Sequence, residues 1–143
     1  MTPSAKIIHA TTVSVAKKGV LIIGPSGSGK SSLALQLLAL GARLVADDRT
    51  SVSLEGGRVI ADVPENIAGL IEARGVGLIN VPPAGPTDIR LVIDMGQIES
   101  DRLPATKHHD VLGIELPCLH KVDTPHFAHA ILLYMYGNSS KVP

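Results

Sequence analysis

Apolar positions recur along this chain with two different periods, and the switches between them divide it into elements. Residues His9 to Val15 are rich in β-branched side chains and alternate, with Val13 and Val15 on one face and Thr12 and Ser14 on the other, which predicts a strand. Lys17-Lys18-Gly19 predicts a turn. Val20-Leu-Ile-Ile23 is apolar without alternation, the pattern of a strand covered on both faces in the middle of a sheet. From Lys30 the period lengthens: Leu33, Ala34, Leu37 and Leu38 share one helical stripe, and Gly41 stands where a left-handed residue ends the helix. Arg43 to Asp48 predicts a further strand that ends in two acids. Strand, helix and strand joined by short links form the βαβ crossover pattern, so the fold class expected is α/β, a mixed or parallel sheet core with flanking helices.

Downstream the elements are shorter. Residues 50–61 hold two strands around Glu55-Gly56-Gly57, a hairpin signal. Pro64 suits the first position of a short helix reaching about Ala73, with Gly75 as its stop. Gly77 to Val81 and Ile89 to Asp94 predict strands separated by the proline-rich link 82–86. Gln97 to Asp110 is polar and predicts an irregular, mobile loop; His108, His109 and Asp110 within it favour a solvated loop over a metal cluster, because adjacent histidines seldom converge on one ion. Val111 to Val122 predicts one or two edge strands. Pro125 to Tyr136 predicts a helix with Phe127, Ala130, Ile131 and Tyr134 on its apolar face. Both ends, 1–6 and 138–143, read as disordered, which leaves a single domain over 7–137.

Composition narrows the function classes. At 143 residues the chain is of modal size for one domain. Its 13 Lys+Arg balance its 13 Asp+Glu, so no long-range attraction draws it to nucleic acid or to an anionic membrane. Phe127, Tyr134 and Tyr136 are its only aromatic residues, too few for base-stacking platforms. No nucleic-acid or membrane partner is expected. Cys118 is the lone cysteine, which excludes an intramolecular disulfide and a cysteine zinc site; it reads as a small apolar strand residue. With no signal-peptide pattern and no apolar run of about eighteen residues, the expected location is cytoplasmic.

The chemistry concentrates in one stretch. Gly24, Pro25, Ser26, Gly27, Ser28, Gly29, Lys30 and Ser31 fit G-x-x-x-x-G-K-[ST], between an apolar strand and an amphipathic helix. Glycines in such a loop let successive backbone N–H groups turn inward as an anion nest at a helix N-terminus. Lys30 then reaches the outer phosphates, and the Ser31 hydroxyl can stand on Mg²⁺. The chain is therefore expected to bind a nucleotide phosphate. Phosphoryl transfer also needs a further metal ligand and a group for the acceptor's proton. Two predicted strands end in acids, at Asp47-Asp48 and at Asp94, and either could anchor metal in the Walker B manner. Neighbours on a strand point to opposite faces, so Asp47 and Asp48 are not expected to address the same phosphate. No Asp-x-x-Gly follows Asp94 and no Asn-Lys-x-Asp occurs, which argues against a GTPase.

The glycine loop, then Leu44-Val-Ala-Asp-Asp-Arg49, then Ile71-Glu-Ala-Arg-Gly-Val-Gly-Leu-Ile-Asn-Val81 occur in this order at short spacing. Together they resemble the catalytic domain of HPr kinase/phosphorylase, the bifunctional serine kinase of the bacterial sugar-phosphotransferase system. Glu72 through Val81 match that family's signature, Glu-[small or apolar]-Arg-Gly-Leu-Gly-Ile-Ile-[Asp/Asn]-Val, with Ala73, Val76 and Leu78 as mild substitutions. The family's histidine falls on His9, fifteen residues before the first loop glycine. The resemblance runs over about 7–136 and is to the short form without an N-terminal domain. It implies ATP and Mg²⁺ as cofactors, and the phosphocarrier HPr, phosphate and pyrophosphate as partners. It implies Asp48 as the group that takes the serine proton, with His9 beside it. Lys30 and Arg102 would neutralise the transferring phosphoryl group, and Ser31 and Glu72 would hold Mg²⁺. It also implies a hexamer, with Leu132 and Leu133 of the last helix as interface candidates. The chain departs from the family at Ser32, where many members carry an acid, and after Lys121-Val122, where Asp123-Thr-Pro-His126 replaces a Gly-Arg-Asn-like stretch. Two other readings stand beside it: a nucleotide-sensing regulatory module with weak transfer activity, and a small-molecule kinase.

Overall fold

The fully apolar strand lies in the middle of the sheet, as its pattern requires. In the computed structural model, which describes residues 5–65 and 67–137, β3 (Lys18–Ile23) pairs in parallel with β9 (Thr87–Ile98) and antiparallel with β2 (Ala10–Val15). β2 and β3 form a hairpin whose two linking residues, Ala16 and Lys17, have φ of 52° and 68°. That is the left-handed pair a two-residue hairpin turn demands, here without a glycine. The turn therefore precedes the predicted Lys17–Gly19. Gly19 is already in β3, where an added Cβ would stand 3.0 Å from the Asp88 carbonyl oxygen and 3.2 Å from Ile89 Cα, backbone atoms that cannot turn aside. This glycine serves close strand packing and not the turn.

The crossover differs from the simplest βαβ unit. α1 (Lys30–Ala39) leads to β4 (Arg43–Ala46), but β4 pairs antiparallel with β2, so β3 and β4 run in the same direction with β2 between them. The hairpin partner β2 occupies the edge of β3 that β4 would take in the simple unit. On the other side, β1 (Lys6–Ile8), β5 (Thr50–Glu55) and β6 (Arg58–Asp62) extend the sheet to the start of β9, and the β5–β6 hairpin turns at Gly56-Gly57 as predicted. β11 (Ile114–Lys121) pairs in parallel with β9 and antiparallel with β10 (Lys107–Val111). β11 is thus an inner strand and not an edge.

Alternation on the central strands feeds two cores. Val20, Ile22, Leu91 and Ile93 face one side, under Leu33, Leu37, Ile131 and Met135 of the two helices. Leu21, Ile89 and Val92 face the other, with Val52, Val59 and Cys118. Cys118 is a buried residue of β11, as expected of a small apolar side chain on a strand, and that burial pushes its thiol pKa up.

Four expectations need correction. Among the described residues of 64–73 no helix forms; β7 (Leu70–Ala73) and β8 (Gly77–Asn80) make a separate two-stranded hairpin instead. Ile71 and Ala73 are buried and Glu72 between them is exposed, a period of two that the apolar count alone did not reveal. The predicted mobile loop shrinks to 99–106, because β9 continues to Ile98 and β10 takes His108 to Asp110. α2 (Phe127–Gly137) buries Phe127, Ala128, Ile131, Leu132 and Met135, so its inner face is rotated away from Ala130, and Leu132 belongs to the core and not to an interface. Lys6 opens β1 and is not frayed; residues 1–4 and 138–143, also read as disordered, lie outside the described residues. Among the described residues no helix is long and apolar enough to cross a membrane.

Candidate functional site

The reversed direction of β2 assembles the site. The C-terminal ends of β3 and β4 meet the N-terminal end of β2, with Ala10 paired to Ile23 and Thr12 to Ala46. Those three ends carry the glycine loop, the Asp47-Asp48 pair and His9. A cleft of about 440 Å³ opens there, lined by loop residues Ser26, Gly27, Gly29, Lys30 and Ser31, by Ser32 and Leu35 of α1, and by His9, Asp47, Asp48, Glu72 and Arg74.

The loop is held tightly at its base. Gly24 has φ of 144°, and a Cβ on it would meet Ser28 Oγ at 2.7 Å and Gly96 N at 3.1 Å. Only glycine passes there. Gly29 caps α1 with φ of 98° and no side-chain hydrogen bond, and no acid stands in the first helical turn. The positive end of the helix dipole therefore faces the cleft uncompensated by a protein carboxylate on α1. Lys30 is only 6% exposed, and its Nζ donates to the carbonyls of Gly24 at 2.8 Å and Pro25 at 3.1 Å. Ser28 Oγ is the one buried side-chain polar atom among the described residues without a hydrogen-bond partner. Lys121, at the end of β11, donates to the Ser28 carbonyl at 3.2 Å and brings a second cation to the loop.

The two acids stand opposite. β4 ends at Ala46, so Asp47 and Asp48 lie in a turn beyond the strand, where alternation no longer applies. Both line the cleft, contrary to the expectation from strand geometry. Asp47 Oδ1 accepts from Ser31 Oγ at 2.9 Å and from Thr11 Oγ1 at 3.1 Å, and its Oδ2 accepts from the Glu72 amide at 3.4 Å. Asp48 adopts φ of 70°, a left-handed conformation that is sparse for a non-glycine residue. Its Oδ1 lies 2.8 Å from His9 Nε2, with both side chains about half exposed or more, at 66% and 47%.

The residues singled out in the sequence are not all gathered here. His9, Lys30, Ser31, Asp48 and Glu72 line one cleft. Arg102 does not: it is exposed on loop 99–106, outside the residues that line the cleft. Asp94 also stands apart, with Oδ1 accepting from the Gly96 amide at 2.9 Å. Of the two candidate metal anchors, Asp47 is the one bonded to the loop serine. His108, His109 and Asp110 alternate along β10, and no group of three His, Cys, Asp or Glu among the described residues is arranged to hold a metal ion. Ser31, Asp47 and Glu72 supply only oxygen donors. That suits Mg²⁺, which binds through one or two carboxylates and completes its shell with substrate phosphates and water.

In the sequence Asp47 stands only as one of several possible metal anchors, and Thr11 is passed over because it lies on a strand that looks wholly structural. The available signal was a hydroxyl at a position the strand buries: Thr11 is 0% exposed.

The sequence model of the HPr serine kinase C-terminal domain matches residues 2–123. A Bacillus licheniformis protein named HPr kinase/phosphorylase is 41% identical over 120 residues, which cover 82% of this chain and 39% of that protein. A Brevibacillus brevis protein of the same name is 38% identical over 120 residues with the same coverage, 82% and 39%. The chain thus spans about two fifths of the length of these curated relatives. Among solved structures, the Hpr(Ser) kinase/phosphatase from Coxiella burnetii superposes with a TM-score of 0.72 at 26% identity, covering 91% of this chain and 87% of that one.

Proposed function

This chain belongs to the family of the HPr serine kinase C-terminal domain, and on that premise we propose that it transfers a phosphoryl group from ATP to a serine hydroxyl of HPr. The observation that carries the reading is the placement of the Asp48 carboxylate, beside His9 at 2.8 Å, in the same cleft as Lys30 and Ser31. Ser31, Asp47 and Glu72 would hold Mg²⁺ and the glycine loop would hold the nucleotide phosphates. When bound, the metal neutralises charge that develops on the phosphate oxygens. Lys30 exchanges the carbonyls of Gly24 and Pro25 for phosphate oxygens. Asp48 takes the proton of the acceptor hydroxyl, and His9 keeps that carboxylate oriented across the cleft. In the reverse direction, Asp48 returns a proton to the serine oxygen while inorganic phosphate takes up the phosphoryl group, giving pyrophosphate. Arg102 enters the reaction only if an assembly, a hexamer by family resemblance, carries its loop to a neighbouring cleft. The cytoplasm is the compartment proposed, where HPr and ATP meet.

Incubation with HPr, Mg²⁺ and labelled ATP tests the proposal. The expected product is phosphoserine on HPr, reduced about a hundredfold or more by Asp48→Asn, the usual scale for a lost general base. Full activity in that variant would remove Asp48 from the base role. Turnover of free nucleosides or sugars at equal rate would favour a small-molecule kinase. Nucleotide binding without transfer to any acceptor would favour a sensing module.

A further inference from the structure

We propose that Thr11 is a positioning residue for this transfer, the buried hydroxyl that sets Asp47 and Asp48 to face different halves of the cleft. The proposal rests on the phosphoryl-transfer reading and adds to it a residue outside the cleft lining. Thr11 is 0% exposed on β2, where burial of a hydroxyl is favourable only if it is hydrogen-bonded. Both of its capacities are used, and in one possible sense. The Asp48 backbone N–H donates to Thr11 Oγ1 at 3.0 Å, so the oxygen accepts there. Its own O–H is then directed to Asp47 Oδ1 at 3.1 Å. One side chain thus ties the backbone of one acid to the carboxylate of the other.

The tie falls where the chain is least able to hold itself. Asp48 has φ of 70°, which local sterics disfavour for any residue with a Cβ, so the turn persists only if its surroundings dictate it. The backbone of Asp48 is gripped at both ends: its carbonyl accepts from Ala10 N at 3.1 Å, and its amide donates to Thr11. The first bond comes from backbone that any residue supplies; the second needs this hydroxyl. A relaxed turn would return residues 47 and 48 to strand-like alternation, which sends their side chains to opposite faces. Meanwhile the Thr11 O–H and the Ser31 O–H meet on one oxygen of Asp47. This keeps that carboxylate turned to the glycine loop and leaves Asp48 alone on the His9 side. The Thr12 hydroxyl on the next residue instead hydrogen-bonds Thr50 Oγ1 at 2.9 Å, so a threonine at this end of β2 is not sufficient for the role.

Three variants of the full chain separate positioning from packing. Thr11→Val keeps the shape without the hydroxyl, Thr11→Cys replaces it with a weak donor and acceptor, and Thr11→Ser restores it. The expected result is kcat for HPr phosphorylation lowered at least tenfold in the valine and cysteine variants, with KM for HPr within twofold, and serine within threefold of the parent. Amide hydrogen exchange supplies a readout that does not depend on turnover: the Asp48 amide loses protection in the valine and cysteine variants and keeps it in the serine variant. Should Thr11→Val fail to fold, the cysteine and serine pair decides. Equal kcat in the cysteine and serine variants, or an Asp48 amide equally protected in both, overturns the proposal. If the parent protein transfers nothing to HPr, the functional reading fails by itself. The clamp is then judged by the amide and by the Mg²⁺ concentration needed for binding of a non-hydrolysable ATP analogue, which must rise at least threefold in the cysteine variant for the proposal to stand.

Discussion

At the scale of single residues, the site is a set of charges arranged around the uncapped start of α1. Gly29 offers no side chain to the first turn and no acid on α1 compensates the helix dipole, so the N–H groups of that turn are left to face the cleft. Ser32 is where this shows best, since it stands in that first turn and lines the cleft with Asp47 and Glu72. Replacing it with glutamate is expected to stabilise the helix start by about 0.3–1 kcal/mol, and so to raise Tm by a few degrees. Repulsion from the other two carboxylates opposes that gain until a cation binds. The increment should therefore grow when Mg²⁺ is added, which thermal melts of both proteins with and without Mg²⁺ would reveal. An increment that ignores Mg²⁺ would place residue 32 too far from the cation to matter. The glycine loop and Lys30 were legible because their spacing is a local property. Thr11, and the choice of Asp47 among the candidate metal anchors, were not, because they arise from contacts between residues 36 and 16 positions apart.

At the scale of elements, most strands could be read and most of their partners could not. The loop that carries Arg102 illustrates what closes a segment that sequence alone marks as mobile. Lys107 Nζ donates to Glu99 Oε1 at 2.7 Å, the Asp101 amide donates to Glu99 Oε2 at 3.1 Å, and the Glu99 amide donates to the Lys121 carbonyl at 2.8 Å. The hydrogen bond from Lys107, then the one from the Asp101 amide, hold the Glu99 carboxyl below its ordinary value of 4.5. A carboxylate whose pKa is lowered by folding stabilises the folded state above its unfolded-state pKa, and that contribution fades as pH falls through the folded-state value. Glu99→Gln should therefore lower the urea midpoint at neutral pH, and the gap to the parent should narrow at an acid pH below the ordinary carboxylate range. Urea titrations at the two pH values check this, and a gap that persists in acid would assign the loss to packing. The helix expected over 64–73 failed for a related reason. Gly75 is real punctuation, but β7 before it buries Ile71 and Ala73 with period two and packs against α1.

At the scale of the whole molecule, the outer face of α2 leaves Leu133 at 72% and Tyr136 at 61% exposure while its inner face is buried. Large exposed apolar side chains on one helix face suit an interface between copies. Light scattering is expected to give a mass that is a multiple of 14.9 kDa, reduced by Leu133→Glu. A monomeric parent protein would withdraw both the assembly and any part for Arg102, which stands outside the cleft of its own chain.

The central strand, the glycine loop, the helix that follows and the family signature are all legible in the order of residues. These depend on periodicity and short spacing, which act over one or two turns of chain. The reversed run of β2 between β3 and β4 emerges only in the fold, because it comes from pairing between distant segments, which no local period encodes. That order brings His9 and Thr11 between the loop and the acids. It also carries Asp47 and Asp48 past the end of β4 into a turn, where the alternation that seemed to separate them no longer holds.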